Sequence, residues 1–313
     1  MTAADAVEKS TRFSIKNRIT LVALSSFTLL LITISLVLFS GFHNMLKQSI
    51  MTQQLSLVSE TAEQMYGRIL LARKQLANTA GTIGRLGLKD PQDTLTRVTS
   101  GISPRIIFDA GMALFDTKGR MVGVSMNQTE LLGSNFSFRD YVREPLRTGK
   151  AYVSAPFSLK VAPHTPMIAI VEPVRDQQGR LLALLAGYHT LGADHFLTSL
   201  PKTSRFGSSG YLYILQGRTL LMHPRKERIL EVIPEGKNLG IDMAVSGFEG
   251  SLELHNSLGQ QMLSSFKKIG DTGWVLVSNT PYQEIMTPIR RLLLNTALAT
   301  FIGLIISLAA IWY

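Results

Sequence analysis

The sequence predicts an α+β fold: a long N-terminal helix and two tandem modules with antiparallel sheets, flanked by two transmembrane helices. Three observations carry this. A hairpin followed by further strands occurs twice, about a hundred residues apart. One stretch ahead of it has apolar residues at heptad spacing, and each end of the chain holds an uncharged apolar run.

The ends come first. After a basic tail (Lys9, Arg12, Lys16, Arg18), the run Ile19–Phe42 contains no charged side chain. Leu292–Tyr313 is likewise uncharged and ends in Trp312-Tyr313, a pair suited to a membrane–water interface. Each run exceeds the roughly 20 residues a helix needs to cross about 30 Å of hydrocarbon. A signal peptide is the alternative for the first run. The run is longer than a usual signal core, and residues 39–44 offer no small-x-small cleavage site, which favours an uncleaved anchor. The basic tail places residues 1–18 in the cytoplasm and residues 43–288 outside it. Arg290-Arg291 then falls on the outer side, where the charge rule acts weakly after a long translocated domain. The second span, 289–313, returns the chain to the cytoplasm, which suggests that the protein continues beyond Tyr313.

From Met51 to Ile83 the chain reads as one helix. Met51, Leu55, Val58, Ala62, Met65, Ile69, Ala72, Leu76, Thr79 and Ile83 alternate steps of four and three, a heptad stripe. At 1.5 Å per residue it spans about 50 Å. The stripe either packs on its own domain or forms a homodimer seam, a use that Gly67 and the small alanines weaken. The stalk is assigned to residues 43–90.

Past Pro91 the pattern turns to strands. GMALFDTKGRMVGVS (111–125) reads as a hairpin. A short helix over Arg139–Arg147 and a strand over Ala151–Phe157 follow, then a long hairpin over 166–191 turned at Asp176–Gly179, and a short helix over Ala193–Leu200. GYLYILQGRTLLMHP (210–224) repeats the first hairpin's form, and residues 250–281 supply three more strands. Such internal similarity means two like modules, set at 91–203 and 204–288, each with helices on one side of its sheet.

Composition narrows the function classes. The 313 residues carry a net charge of +10 and no cysteine, so neither disulfides nor thiolate metal sites are available. The positive charge is spread among acids rather than gathered into a stripe with interleaved aromatics, so nucleic acid is not an expected partner. His164, His189, His195 and His223 lack metal-ligand spacing, and no metal or cofactor is expected. No GxSxG elbow, P-loop or paired-carboxylate arrangement is present, so the residues hold no catalytic domain. Arg225–Arg228 is a charge run read as a solvated face, and His223-Pro224 as a strand end.

In this order, FSFRDYVREPLRTGKAYVSAPF (136–157), AIVEPVRDQQGRLLALLAGYHTL (169–191), RFGSSGYLYILQGRTLLMHPRKERIL (205–230), GFEGS (247–251) and GWVLVSNTPYQEIMTPI (273–289) resemble the double Cache, or tandem PAS-like, sensor domains of bacterial receptors. The resemblance covers about residues 43–290. It implies a two-pass protein of the bacterial inner membrane whose exported region binds a small molecule. That region would control a cytoplasmic histidine kinase, diguanylate cyclase or chemoreceptor output; a methyl-accepting helix, kinase or cyclase would lie outside these residues.

The same resemblance matches Arg139 and Tyr141 to an Arg-x-Tyr pocket element in the membrane-distal module, with Phe138, Tyr152, Phe157, Tyr188 and His189 around it. Guanidinium binds a carboxylate bidentately, and a phenol beside it donates while its ring walls the pocket. The alternative pairs Arg139 with Asp140 or Glu144 at the surface. Amino-acid binders of this family also need acids for the ligand's amine. The matching stretches here, Phe157-Ser158-Leu159 and Gly187-Tyr188-His189, hold none, so a carboxylate without an amine or another small anion is expected. Two rival functions stay open: a tethered exported enzyme, and a cell-envelope scaffold without a small-molecule ligand.

Overall fold

The computed structural model describes residues 15–100, 107–125, 129–158, 165–191, 209–256 and 258–312. The expected helix over Ala193–Leu200, together with His164 and His195, lies outside the described residues. The chain divides into two units: Met51–Tyr282, which holds both sheets, and the segments up to Ile50 and from Gln283 onward. The second unit carries the apolar runs. Helix α1 (Ile15–Leu86) and the last helix, α5 (Tyr282–Trp312), each contain a stretch long and apolar enough to cross a membrane. Leu29, Leu36, Leu294 and Ile306 stand exposed along them.

In the larger unit the heptad stripe is the core-facing side of α1. Val58, Ala62, Met65, Ile69, Ala72, Leu76 and Ile83 are fully buried among Leu114, Ile170 and Leu185 of one sheet and Leu212, Ile214 and Leu276 of the other. The stripe is therefore used up inside its own chain from Val58 to Ile83. Gln54 adds a polar tie, donating from Nε2 to Ser278 Oγ (2.8 Å) and Thr280 Oγ1 (3.2 Å). α1 stops at Leu86, where Gly87 takes φ 79° and its N–H returns to Ile83 O (2.9 Å).

The residues past Pro91 depart from the expected strand pattern. They begin with helix α2 (Pro91–Thr99), started by Asp90, whose carboxylate accepts the Asp93 N–H (3.0 Å), with Pro91 at the first helical position. The first sheet follows: β1 (Met112–Asp116), β2 (Met121–Val124), α3 (Asp140–Thr148), β3 (Tyr152–Val153), β4 (Phe157–Ser158), β5 (Pro166–Arg175) and β6 (Leu181–Thr190). Its order is β2-β1-β6-β5-β3, with β4 also on β5, all antiparallel. The single strand expected over Ala151–Phe157 is split in two. Pro156 has no N–H to give a ladder, and buried Ser154 takes over: its Oγ accepts the Ala169 N–H (2.9 Å).

The second sheet comprises β7 (Tyr211–Gln216), β8 (Thr219–Met222), β9 (Gly250–His255), β10 (Gln261–Lys268) and β11 (Trp274–Pro281), with α4 (Leu239–Val245) between β8 and β9. Its order, β8-β7-β11-β10-β9, repeats that of the first sheet. Turn chemistry repeats too. In Asp116–Arg120 and Asp176–Arg180 the aspartate Oδ1 accepts the N–H groups two and four residues on, and Gly119 and Gly179 supply positive φ. Asn256 does the same before Gly259. Inner faces of both sheets meet α1, while each outer face builds its own apolar cluster.

Glu172 on β5 shares the α1-facing side with Ile170 and Val174. Burial pushes its pKa above the ordinary carboxylate value, and the nearby Arg73 offsets this only in part. A carboxyl raised in the folded state contributes stability below its unfolded pKa and loses it as pH rises through the folded one. Glu172→Gln is thus expected to raise the melting temperature at about pH 8 and to leave it nearly unchanged at about pH 4. Equal shifts at the two pH values would exclude this electrostatic account.

Candidate functional site

The outer face of the first sheet carries the candidate site, and the entry to α3 positions it. Asn135 Oδ1 accepts the Ser137 N–H (2.8 Å), and the Arg139 N–H returns to Phe136 O (2.8 Å), so the chain turns sharply into the helix. Arg139 is the extended residue before α3 (φ −78°, ψ 137°) and gives the helix no side-chain cap. This breaks two local preferences. Asp, Asn, Ser and Thr are favoured at this position, and a cation faces the positive end of the helix dipole. Asp140 at the next position restores the favoured sign, and its Oδ1 accepts the Tyr141 N–H (2.8 Å).

Arg139 is held by rings instead. Its guanidinium carbon lies 5.3 Å from the Phe138 ring centre and 5.5 Å from that of Phe157. Its Nε is buried and has no hydrogen-bond partner among the described residues. Neither acid proposed as a surface partner takes it: Glu144 pairs with Arg143 and Arg147, and Asp140 Oδ2 accepts from Tyr152 Oη (3.3 Å). Tyr141, fully buried, stacks on Phe157 at 4.9 Å and meets Tyr188 edge-on at 6.0 Å. Phe157 and Tyr188 are themselves edge-on at 6.3 Å.

Burial pushes the Tyr141 phenol up to about 12, against the favourable pull of Tyr188 and Arg139. Burial also raises Tyr188 well above its ordinary value. Burial and the Asp140 carboxylate raise Tyr152. All three phenols stay protonated: Tyr152 gives its hydrogen to Asp140, and Tyr188 and Tyr141 hydrogen-bond to each other. The arrangement is one cation with spare donor capacity, flanked by protonated phenols and walled by aromatic rings, which suits a small anion.

Six of the seven residues singled out from the sequence gather here: Arg139, Tyr141, Phe138, Tyr152, Phe157 and Tyr188. Phe138 is the outermost, 66% exposed and stacked on Phe136 at 6.2 Å. His189 does not join them. It follows Tyr188 in β6 and so points to the opposite face, where it is 1% exposed, with its ring 5.1 Å from Phe108 and Nδ1 3.4 Å from Asp109 Oδ1. Thr190 also donates to Asp109. Asp109 was not legible as a partner, because it reaches β6 from far along the chain. No group of metal-ligating side chains occurs among the described residues.

The sequence model of the Cache domain family matches residues 42–289, most of the chain. The chain belongs to the double Cache family. Its Cache region has the fold of several solved sensor domains. An extracellular ligand-binding receptor from Desulfohalobium retbaense is 17% identical, with a TM-score of 0.57 over 73% of this chain and 40% of that one. The periplasmic sensory domain of the Campylobacter jejuni chemoreceptor Tlp1 is 12% identical, with a TM-score of 0.58 over 78% and 99%. The ligand-binding domain of the Pseudomonas aeruginosa amino-acid chemoreceptor PctB, solved with L-Arg, is 17% identical, with a TM-score of 0.57 over 77% and 98%. At these identities the likeness concerns the double Cache fold. No curated protein matches the chain.

Proposed function

We propose that residues 43–288 are the extracytoplasmic sensing region of a bacterial two-pass inner-membrane receptor. The first sheet module is the membrane-distal one and holds a small carboxylate, or another small anion lacking an amine, at Arg139. The observation that carries this is the Arg139 guanidinium: partly buried, ring-stacked and without an acid partner among the described residues, beside the protonated phenols of Tyr141 and Tyr188. Ring contacts hold the cation in place and leave its N–H donors without a partner among the described residues, and a ligand carboxylate can take two of them at once. The acid next to Arg139, Asp140, is engaged by Tyr152 and the start of α3, and Glu144 by Arg143 and Arg147, which disfavours an amine-bearing ligand.

Ligand binding would shift the first sheet against α1, and the change would leave through Tyr282–Arg291 and the second span. The receiver would be a diguanylate cyclase or histidine kinase outside these residues. A ligand moves such an equilibrium only by its differential affinity for the two states, typically about 1–3 kcal/mol. Any homodimer contact along α1 between Val58 and Ile83 would use faces other than the buried stripe.

The test uses the full chain in nanodiscs, melted in the presence of carboxylates, amines, nucleobases and sugars. A carboxylate is expected to raise the transition, since a ligand specific to the folded state stabilises by mass action. Arg139→Ala should weaken that carboxylate at least about 30-fold, roughly 2 kcal/mol, because it strips the charge from a desolvated pair. Wild-type affinity in the variant would remove Arg139 from the site. No stabilisation by any compound would favour the scaffold reading.

A further inference from the structure

The second module has a cavity of its own. It opens on the outer face of the sheet β8-β7-β11-β10-β9 and is lined by Tyr211, Tyr213, His223, Arg225, Arg228 and Asn279 among others. Its place in the fold repeats that of the first site. β11 pairs with β7 as β6 pairs with β1. Asn279 stands opposite Tyr211 in that pairing, and Tyr188 stands opposite Gly111, its N–H on Gly111 O at 2.9 Å. Both residues are third from the end of their strand, on the outer face. The duplicated sheet thus presents outer-face side chains at the same end twice, with different chemistry.

Hydrogen bonds inside the cluster determine which donors remain free. Asn279 Oδ1 accepts from Ser264 Oγ (2.7 Å), which turns its Nδ2 toward Tyr211 Oη (3.2 Å). The Tyr211 oxygen is therefore an acceptor within the chain, and its own hydrogen is left to donate. The relay Ser264–Asn279–Tyr211 polarises that last O–H. His223 Nδ1 lies 3.1 Å from the Arg225 backbone nitrogen and 3.3 Å from the Arg225 carbonyl oxygen, so either tautomer ties the ring to the loop after β8. Burial and the neighbouring Arg228 hold the His223 pKa below its ordinary value and keep the ring neutral. The ring sits 5.5 Å from that of Tyr211 and 6.0 Å from that of Tyr213. Arg228 is committed to Glu231, Nε to Oε2 at 2.5 Å and Nη2 to Oε1 at 3.2 Å. Arg225, exposed at the mouth, makes no ion pair among the described residues.

A reading of Arg225–Arg228 as a plain solvated face misses this. Arg225 and Lys226 are exposed, but Arg228 is half-buried against the two tyrosines. Tyr211 O–H and the Arg225 guanidinium are two donors on a cavity whose described lining holds no carboxylate. Tyr213, Leu220 and Ile241 supply an apolar wall. We propose that this cavity is a second ligand site, taking a small monocarboxylate with an apolar body, its carboxylate toward Arg225 and Tyr211 and its body against Tyr213 and Leu220. The proposal stands independently of the site at Arg139.

The test is calorimetric titration of the full chain in nanodiscs with sodium benzoate and sodium propionate. It uses wild type, Arg139→Ala, and Arg139→Ala combined with Arg225→Ala or with Tyr211→Phe. Saturable binding of at least one of the two anions is expected to survive Arg139→Ala. It should weaken about tenfold or more with either added change, near 1.4 kcal/mol. Tyr211→Phe keeps the ring and loses only the hydroxyl, so it serves if Arg225→Ala disturbs the loop. Three results overturn the second site: no binding of either anion to wild type, loss of all binding in Arg139→Ala, or residual binding indifferent to both added variants. The second of these leaves the Arg139 site standing. Wild-type binding that ignores Arg139→Ala but falls with Arg225→Ala supports the second site and counts against the first.

Discussion

Phe115→Ala is expected to cost about 3–5 kcal/mol of stability, as large-to-small changes at fully buried phenylalanines do. Phe115 lies on β1 with no exposed surface. Its ring meets Phe136 edge-on at 5.6 Å and Tyr141 at 6.3 Å, so it supports both the turn into α3 and the central phenol of the site. A cavity there removes contacts from Tyr141, which in turn braces Phe157 beneath Arg139. Ligand affinity at Arg139 should therefore fall together with the melting temperature. For a unit of this size about 2–4 °C accompany each kcal/mol, so a drop of roughly 6–20 °C is expected. Phe266→Ala is the control. Phe266 is equally buried, but in the outer cluster of the second sheet. It should lower stability by a similar amount and leave binding at Arg139 intact under conditions where the protein stays folded. An unchanged melting curve for Phe115→Ala, or equal loss of Arg139-dependent binding in both variants, would contradict this account.

Legibility from sequence followed the range of the interactions involved. The α1 stripe was readable because burial alone sets its spacing, and Val58 through Ile83 lie where the pattern puts them. The hairpins were readable because Asp116, Asp176 and Asn256 mark their turns by bonds that close within four residues. Helix α2 was missed although its start signal, Asp90-Pro91, is local, because the hydrophobic pattern around it was read as strand. The break between β3 and β4 depends on Ser154 reaching Ala169 across the sheet, with no short-range sign beyond Pro156. The candidate cluster from Phe138 to Phe157 comes from one segment, which the family resemblance picked out as a unit. His189 was assigned to it against strand parity: adjacent residues of β6 face opposite ways, so Tyr188 and His189 could not line one cavity. The cavity at Tyr211 is built from β7, β11 and the loop after β8, and only the assembled sheet brings these together.

Gly84→Ala is expected to destabilise the protein by about 1–3 kcal/mol or more, against the ordinary sign for a helix interior. Alanine is usually the better helix residue by roughly 0.5–1 kcal/mol. Gly84, however, is pressed onto the first sheet: a Cβ there would fall 2.0 Å from the Arg175 carbonyl oxygen and 3.1 Å from its carbon. The obstacle is backbone, so no rotamer change relieves it. Arg175 is also anchored, donating from Nη1 to Gly179 O (2.9 Å) and from Nη2 to Gly149 O (2.8 Å). Either the end of α1 lifts off the β5–β6 hairpin or the hairpin moves with it. Gly67 provides the contrast on the same helix, since nothing lies within 4 Å of its added Cβ. Gly67→Ala should raise the melting temperature while Gly84→Ala lowers it. Opposite signs for one substitution type separate packing from propensity, and a stabilising Gly84→Ala would mean that α1 does not hold this close approach to the sheet. If α1 carries the ligand-driven shift, Gly84→Ala should also change signal output without touching any residue of the Arg139 site.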